Sequence, residues 1–240
     1  MAYQSVFKRY ELKYLLTLDQ QKQIIDAMED HMAIDHYGHT RIRNIYYDTD
    51  NFRLIRSSLD KPLYKEKLRL RSYAPCSGAD PVFLELKKKY DGIVYKRRLQ
   101  MPYDQAVAWL SGDLSKTPDS QIGREVAWFM EFYKDLKPKV FLSYERQAWY
   151  SLDGSDFRVT FDRNIQSRTE YLQLTSPCSG TILLPENTVL MELKTSGGIP
   201  LWMTNILTRN QIYKTSFSKY GTAYQKTIFK GGTEYARSVI

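Results

Sequence analysis

The sequence predicts an α+β fold in which antiparallel strands close into a barrel with a charged interior. The clearest evidence is the segment Lys65–Arg71, KEKLRLR, in which a cation recurs at every second residue. A period of two places these cations on one face of a strand and Leu68 and Leu70 on the other. A solvated strand face would show the same pattern, so this segment alone leaves both alternatives open.

Charged residues also alternate in other apolar segments, and in those segments they include carboxylates as well as cations. The sequence Glu-Leu-Lys occurs three times, at 11–13, 85–87 and 192–194, and similar spacing occurs in 96–98 and 158–162. These segments are rich in Val, Ile, Leu, Tyr and Phe, which is typical of strands. Several strands with charged inward faces indicate a barrel with a polar lumen.

The N-terminal half is predicted to begin with a strand over 6–16. Asp19 is the predicted cap of a helix that ends near Glu29, because apolar residues follow at helical spacing. A polar, histidine-rich loop then leads to a strand over 41–47.

A short helix from about 52 to 59 is predicted next, capped by Asp48-Thr-Asp50. Strands over 63–73 and 82–90 follow, and Asp91-Gly92 is a hairpin turn signal that leads into a strand over 93–101. These three strands predict an antiparallel meander.

The C-terminal half shows helical patterning over 103–111 and 121–136 and then returns to strand patterning. The strands are predicted over 139–151, 156–165 and 188–195. Two amphipathic helices, over 201–212 and 218–227, complete a single predicted domain of residues 1–240.

Composition narrows the set of partners. The net charge of +8 favours anionic partners, which include phosphates, nucleic acid and anionic membranes. A nucleic-acid binder needs an exposed basic face lined with aromatic residues, whereas these cations lie on strands that we expect to close, so we expect no nucleic acid. No segment approaches the roughly 20 apolar residues of a spanning helix, and we expect a cytoplasmic protein.

The expected chemistry is phosphate binding. Arg and Lys form charge-assisted hydrogen bonds to phosphate, so a cationic tunnel would hold a phosphate chain along its length. The carboxylates Glu11, Glu85 and Glu192 would repel such a chain unless they bind Mg²⁺ or Mn²⁺ that bridges phosphate oxygens. The alternative, that each pairs with neighbouring cations as a salt bridge, remains open at this point.

The order of these motifs resembles that of the triphosphate tunnel metalloenzymes (CYTH-like proteins), and most of all the polyphosphate polymerase domain of the VTC type. The resemblance rests on an ordered series: Glu-x-Lys, Tyr-Tyr-Asp-Thr-Asp-Asn-Phe, Lys-Leu-Arg-Leu-Arg, Glu-Leu-Lys-Lys-Lys, Tyr-Lys-Arg-Arg, Ser-Tyr-Glu-Arg, Arg-Val-Thr-Phe-Asp, Glu-Leu-Lys and Ser-Phe-Ser-Lys-Tyr. It implies an eight-stranded antiparallel β-barrel tunnel with helices packed outside. It also implies transfer of the γ-phosphate of ATP to a growing polyphosphate chain, with Mn²⁺ or Mg²⁺ as cofactor.

The resemblance implies site residues as well. Those expected to act on phosphate are Lys13, Arg69, Arg71, Lys87, Arg146 and Arg158, and those expected to bind substrate are Lys96, Arg98, Lys194, Lys219 and Tyr144. Glu192 matches the metal-binding acidic residue, with Glu11 and Glu85 as further candidate ligands. The Tyr144 side chain either orients a phosphate through its hydroxyl or packs.

One departure from the wider family is Arg9, which stands where many members have a first glutamate. It weakens a two-glutamate metal site and favours the polymerase-like branch. The alternatives are a triphosphatase in the same tunnel, with water as acceptor, and a non-catalytic polyphosphate-binding module. Export coupled to synthesis would require a separate membrane-protein partner, which would place the chain peripherally at a membrane.

Overall fold

The computed structural model describes residues 6–229. Its strands are β1 (Val6–Leu16), β2 (Met32–Asp48), β3 (Tyr64–Ser72), β4 (Pro81–Tyr90), β5 (Ile93–Pro102), β6 (Lys137–Ser151), β7 (Arg158–Arg168), β8 (Thr181–Ile182), β9 (Val189–Thr195) and β10 (Lys214–Thr215). Its α-helices are α1 (Leu18–Met28), α2 (Arg53–Leu59), α3 (Tyr103–Leu110), α4 (Gln121–Tyr133), α5 (Leu201–Arg209) and α6 (Lys219–Ala223). A 3₁₀ turn spans Leu114–Lys116, and a π-helical turn spans Tyr224–Ile228.

Eight of the strands form a closed ring of antiparallel pairs. The order around the ring is β1, β5, β4, β3, β2, β6, β7 and β9, and β9 pairs with β1 to complete it. The two-residue strands β8 and β10 pair with β7 and β1 outside this ring. Because every strand of the ring has a neighbour on each side, the ring leaves no long unpaired edge.

Alternation along each strand sends apolar side chains to the outer face, where helices cover them. Leu68, Leu70, Leu84 and Leu86 are fully buried there in one core cluster, together with Trp109 of α3 and Phe129 of α4. A second cluster lies between β7, β9 and helices α1 and α5. The opposite face of the same strands carries the charged residues.

The hairpin between β4 and β5 follows the sequence signal. Asp91 and Gly92 both have positive φ, 43° and 81°, as a two-residue turn with the twist of the strands requires. Glycine accepts this backbone without strain, and aspartate tolerates it better than most residues.

Three predicted boundaries were wrong. The predicted histidine-rich loop belongs to β2, because residues 32–34 and 39–40 pair with β6 and the backbone hydrogen bonds outweigh the polar composition. Helix α1 is capped by Thr17 in a capping box with Gln20, and not by Asp19. Helix α4 ends at Tyr133, since Lys134 and Asp135 adopt positive φ.

The C-terminal end of the described chain is anchored to β2. Ser218 caps α6, and the Tyr220 hydroxyl donates a 2.9 Å hydrogen bond to Asp48. Asp48 also accepts from the backbone amides of Leu54 and Ile55, so one carboxylate joins β2, α2 and α6. Among residues 6–229, no helix is long and apolar enough to span a membrane.

Candidate active site

Charged side chains on the inner face of the ring form a continuous group. Strand alternation and register bring them together from seven strands, and Lys219 joins them from α6. The group contains ten cations, Lys13, Lys67, Arg69, Arg71, Lys87, Lys96, Arg98, Arg146, Lys194 and Lys219, and four carboxylates, Glu11, Glu85, Asp162 and Glu192. Its charge is therefore strongly positive.

Glu85 is the centre of the first cluster. It lies opposite Arg69 on one neighbouring strand and Arg98 on the other, and it is completely buried. Its Oε2 accepts from Arg69 Nε at 2.8 Å, and its Oε1 accepts from Arg98 Nε at 2.6 Å and Lys96 Nζ at 3.3 Å. Burial alone would raise the pKa of Glu85, but Arg71 and Arg69 hold it well below its usual range.

Glu192 and Asp162 share the second cluster. Lys219 Nζ lies 2.6 Å from Asp162 Oδ2 and 3.1 Å from Glu192 Oε1. Arg146 donates two 2.6 Å hydrogen bonds to Asp162, and its Nη2 also reaches Glu192 at 3.4 Å. Burial would raise the pKa of Glu192, but Lys219, Lys194 and Arg146 hold it well below its usual range.

A third group of cations lies beside Glu11. Lys87 Nζ is 2.5 Å from Glu11 Oε2, and this pairing outweighs burial and lowers the pKa of Glu11 to about 2. Lys67 Nζ donates to the Ser218 hydroxyl at 3.1 Å, and Lys13 Nζ donates to the Phe217 carbonyl at 2.5 Å. Lys67 has no carboxylate within 4.0 Å among residues 9–229.

The segment 217–220 contacts several strands of the ring. It contacts β1 through Lys13, β3 through Lys67 and both β7 and β9 through Lys219. Tyr220 stacks on Tyr46 of β2 with ring centroids 4.7 Å apart. The segment therefore contacts strands from around the ring circumference.

Two tyrosines connect the charged clusters. The Tyr144 hydroxyl accepts from Arg71 Nη2 at 3.0 Å, and the Arg146 and Lys219 cations lie 5.1 and 4.7 Å from its ring centroid. The Tyr46 hydroxyl accepts from Arg69 Nη1 at 3.0 Å. These aromatic side chains fix the arginines in place between the first and second clusters.

Burial lowers the pKa of several lysines of this group, and neighbouring cations lower it further. The pKa is about 6 for Lys96, about 7 for Lys194 and about 8 for Lys13, and that of Lys67 is well below its usual value. Burial is the larger cause, and the excess of cations over carboxylates on this face adds to it. Such a face is electrostatically complementary to a polyanion.

The sequence of this chain matches a known protein family. A model of the VTC domain family matches residues 8–228. The chain belongs to the VTC domain family. The family prediction made from the ordered motifs is therefore confirmed, and a search of curated proteins gives no match.

Solved structures show what fold this VTC domain shares. A candidate adenylate cyclase from Bacillus halodurans is 16% identical, with 90% of this chain and 96% of that chain covered and a TM-score of 0.56. A candidate adenylate cyclase from Vibrio parahaemolyticus is 9% identical, with 89% and 97% covered and a TM-score of 0.44. The PH1819 protein from Pyrococcus horikoshii is 12% identical, with 92% and 99% covered and a TM-score of 0.45. Of these three, the Bacillus protein supports a shared fold.

The predicted site residues of the VTC domain lie together on the inner face, except that Arg158 lies apart from the others. Arg158 lies opposite Lys194 at the end of the ring away from segment 217–220, and its side chain is exposed. Sequence reasoning left Asp162, Lys67 and Tyr46 out of the site. Asp162 could have been predicted, because strand alternation places it on the same face as Arg158 and Thr160.

The donor set of the VTC domain suits a hard divalent cation. Glu192 and Asp162 offer carboxylate oxygens, and Mg²⁺ is often held by one or two carboxylates together with substrate phosphates. Residues 9–229 contain no cluster of three His, Cys, Asp or Glu side chains placed to bind a metal unaided. The oxygens of Glu85, Asp162 and Glu192 all lie within 4.0 Å of cations, so each carboxylate is held in place by its neighbours.

Proposed function

We propose that this VTC domain is a metal-dependent polyphosphate polymerase that works inside a cationic β-barrel tunnel formed by the ring. It transfers the γ-phosphate of ATP to the end of a growing polyphosphate chain. A terminal phosphate oxygen of the chain forms the new P–O bond to the γ-phosphorus. The bond from that phosphorus to the β,γ-bridging oxygen breaks, and its electron pair leaves with ADP.

One observation carries this proposal: the inner face combines excess cations with carboxylates that are poor bases. The cations lower the pKa of Glu192 and Asp162, so these groups accept a proton weakly at neutral pH. A water molecule that attacks the γ-phosphorus must lose a proton to a base, whereas a terminal phosphate oxygen of the chain is already ionised and needs no base. The electrostatics therefore favour a phosphate acceptor over water.

Each charged cluster has a proposed role in this reaction. Arg69 and Arg71 bind phosphate oxygens, aided by bidentate guanidinium geometry, and Lys13, Lys87, Lys96, Arg98, Arg146 and Lys219 neutralise the rest of the chain. Arg158 and Lys194 contact phosphate at the end of the ring away from segment 217–220. Tyr144 orients Arg71 and contacts substrate through its hydroxyl.

Glu192 is the proposed ligand for Mn²⁺ or Mg²⁺, with Asp162 beside it and Glu11 as a further ligand. The bound metal would supply Lewis-acid stabilisation of negative charge on the phosphate oxygens. Glu85 stays a further candidate ligand, and it also holds four cations in position, Arg69, Arg71, Lys96 and Arg98.

The second candidate is a triphosphatase, and the contacts of segment 217–220 across the ring favour it. We infer that this segment obstructs one end, so that a short triphosphate would enter and leave through the other. A growing chain would have to share that end with ATP. A non-catalytic polyphosphate-binding module would use the same cations without metal.

The proposal also includes partners and location. ATP and polyphosphate are the proposed ligands, nucleic acid is not, and the protein is placed in the cytoplasm. A separate membrane protein would be the partner for export. The proposed single domain of residues 1–240 extends at both ends outside the described residues.

The test is incubation with ATP and each divalent metal, followed by separation of the phosphate products on a gel. Long phosphate chains with Mn²⁺ or Mg²⁺ are expected, and orthophosphate release without elongation would select the triphosphatase. Binding of Mn²⁺ can be followed separately by electron paramagnetic resonance in the presence of tripolyphosphate. Glu192→Gln should weaken Mn²⁺ binding at least tenfold, and an unchanged affinity would contradict the metal assignment.

A further inference from the structure

A row of lysines continues the charged inner face towards one end of the ring. Strand alternation places Lys65 and Lys89 on the same face as Lys67 and Lys87. The register sets Lys65 directly opposite Lys89, two residues further along each strand than the facing pair of Lys67 and Lys87. Lys61, which lies between α2 and β3, adds its charge to this group. We call Lys61, Lys65 and Lys89 the end lysines.

The end lysines have positive charge without a counter-ion. Among residues 9–229, no carboxylate oxygen lies within 4.0 Å of the amine of any of the three. Lys65 Nζ donates instead to the Ser58 carbonyl of α2 at 3.3 Å. Burial lowers the pKa of Lys65, and the neighbouring lysines lower it further. Because like charges directly opposite each other on neighbouring strands repel, an anion bound between Lys65 and Lys89 would relieve this repulsion.

The length of the row favours an extended anion over a compact one. Lys67 joins the end lysines to the arginines of the inner face, since both Lys65 and Arg69 act on its charge. At about 3.3 Å per residue, the strand rises about 20 Å from Lys65 to Arg71. A single orthophosphate would contact one step of this row, whereas a linear polyphosphate would contact all of it. The row therefore matches a long phosphate chain.

We propose that the end lysines bind the part of a long polyphosphate chain that extends past segment 217–220, so that the protein prefers long chains to short ones. This inference rests on the proposed function, because it takes the inner face as the site of the phosphate chain. At the segment, a phosphate oxygen takes the place of the Ser218 hydroxyl, to which Lys67 Nζ donates at 3.1 Å. The chain then continues between Lys65 and Lys89. A triphosphate held at the arginines of the inner face does not extend that far.

Calorimetric binding of long-chain polyphosphate and of tripolyphosphate to the full chain, at one fixed ionic strength and without ATP, tests this preference. The double variant Lys65→Gln with Lys89→Gln should bind the long chain about fivefold more weakly, as expected for the loss of two partly exposed ion pairs. Its affinity for tripolyphosphate should stay within about twofold of the original. The matched control is Lys22→Gln with Lys116→Gln, which removes the same charge from exposed positions and should change neither affinity.

Three outcomes would overturn the proposal. They are unchanged affinity of the double variant for the long chain, an equal loss of affinity for tripolyphosphate, and the same selective loss in the control. The single variant Lys61→Gln, at an exposed position, provides a second test if the double variant unfolds, and it should weaken binding of the long chain alone by about twofold. The proposed function would fail by a different readout, since ATP that yields no phosphate chains would contradict it and leave the preference for long chains intact.

Discussion

Arg71 Nη2 donates a 3.0 Å hydrogen bond to the Tyr144 hydroxyl, and this contact joins the two carboxylate clusters of the ring. Arg71 belongs to the group around Glu85, while the Tyr144 ring lies under the Arg146 and Lys219 cations that hold Glu192. The tyrosine is 2% exposed, so its hydroxyl has no bulk water to replace this donor. The relationship makes the inner face one electrostatic unit.

The first prediction concerns that hydroxyl. Tyr144→Phe removes the acceptor for Arg71 and keeps the ring, so the free energy of unfolding should fall by about 1.5–3 kcal/mol, as expected for a hydrogen bond to a charged group. Urea unfolding measures this change. Tyr171→Phe, at a position 78% exposed, is the matched control and should change stability by less than about 0.5 kcal/mol. Equal effects of the two variants would contradict the assigned role of Tyr144.

The second prediction concerns Glu85. Glu85→Gln leaves its cations without a counter-ion in a buried position, which should cost about 3–5 kcal/mol of folding stability. Tripolyphosphate supplies the missing negative charge, so it should raise the melting temperature of this variant more than that of the unaltered protein. The control is Glu131→Gln on exposed α4 surface. A variant as stable as the control would show that Glu85 does not hold these cations.

The third prediction is the pH dependence of binding. Burial and neighbouring cations lower the pKa of Lys96, Lys194 and Lys13 to about 6, 7 and 8, so these amines are partly uncharged near neutral pH. A bound polyanion favours their charged forms, raises these pKa values and causes proton uptake. The affinity for tripolyphosphate should therefore begin to fall as pH rises above about 6 and fall more steeply above 8, by about tenfold per pH unit for each proton taken up. Calorimetry in two buffers of different ionisation enthalpy would detect that uptake, and a proton count of zero would contradict it.

The same lysines predict the sign of the pH dependence of stability without ligand. In the unfolded chain a lysine has a pKa of about 10.4, so between pH 6 and 10 the unfolded state binds more protons than the folded state. The contribution of these groups to stability should therefore rise with pH across this window. Chemical unfolding at pH 6, 7.5 and 9 measures it. Lys96→Met should flatten the rise, and an unaltered slope in that variant would exclude Lys96 as a source.

Local patterns predicted most of the fold because the strands carry a strong period of two. The strand prediction over 6–16 matches β1, and the hairpin at Asp91-Gly92 lies where predicted. The histidine-rich segment of β2 was missed, since its strand conformation depends on pairing with β6, which lies about 100 residues away in sequence. The amino-acid composition of the segment does not indicate that it pairs with β6.

The three Glu-Leu-Lys segments show why the site was only partly predictable. Their sequences are identical, yet Glu85 lies opposite Arg69 and Arg98, Glu192 lies opposite Lys13 and Thr160, and Glu11 lies opposite Lys194. These cross-strand neighbours decide how many cations each carboxylate holds. Register fixes the neighbours, and it is set by turns and packing outside the motif. The partners of Lys67 and Tyr144 were missed for the same reason.

The most direct test of the proposed function follows the γ-phosphate itself. ATP labelled at the γ-phosphate is incubated with the protein, Mn²⁺ and a short polyphosphate primer. The label in long chains and the label in orthophosphate are then each compared with the amount of ADP released. The proposal predicts that the label enters long chains in step with ADP release and that Glu192→Gln reduces this at least a hundredfold. Label found in orthophosphate alone, or equal incorporation by the Glu192→Gln variant, would contradict it.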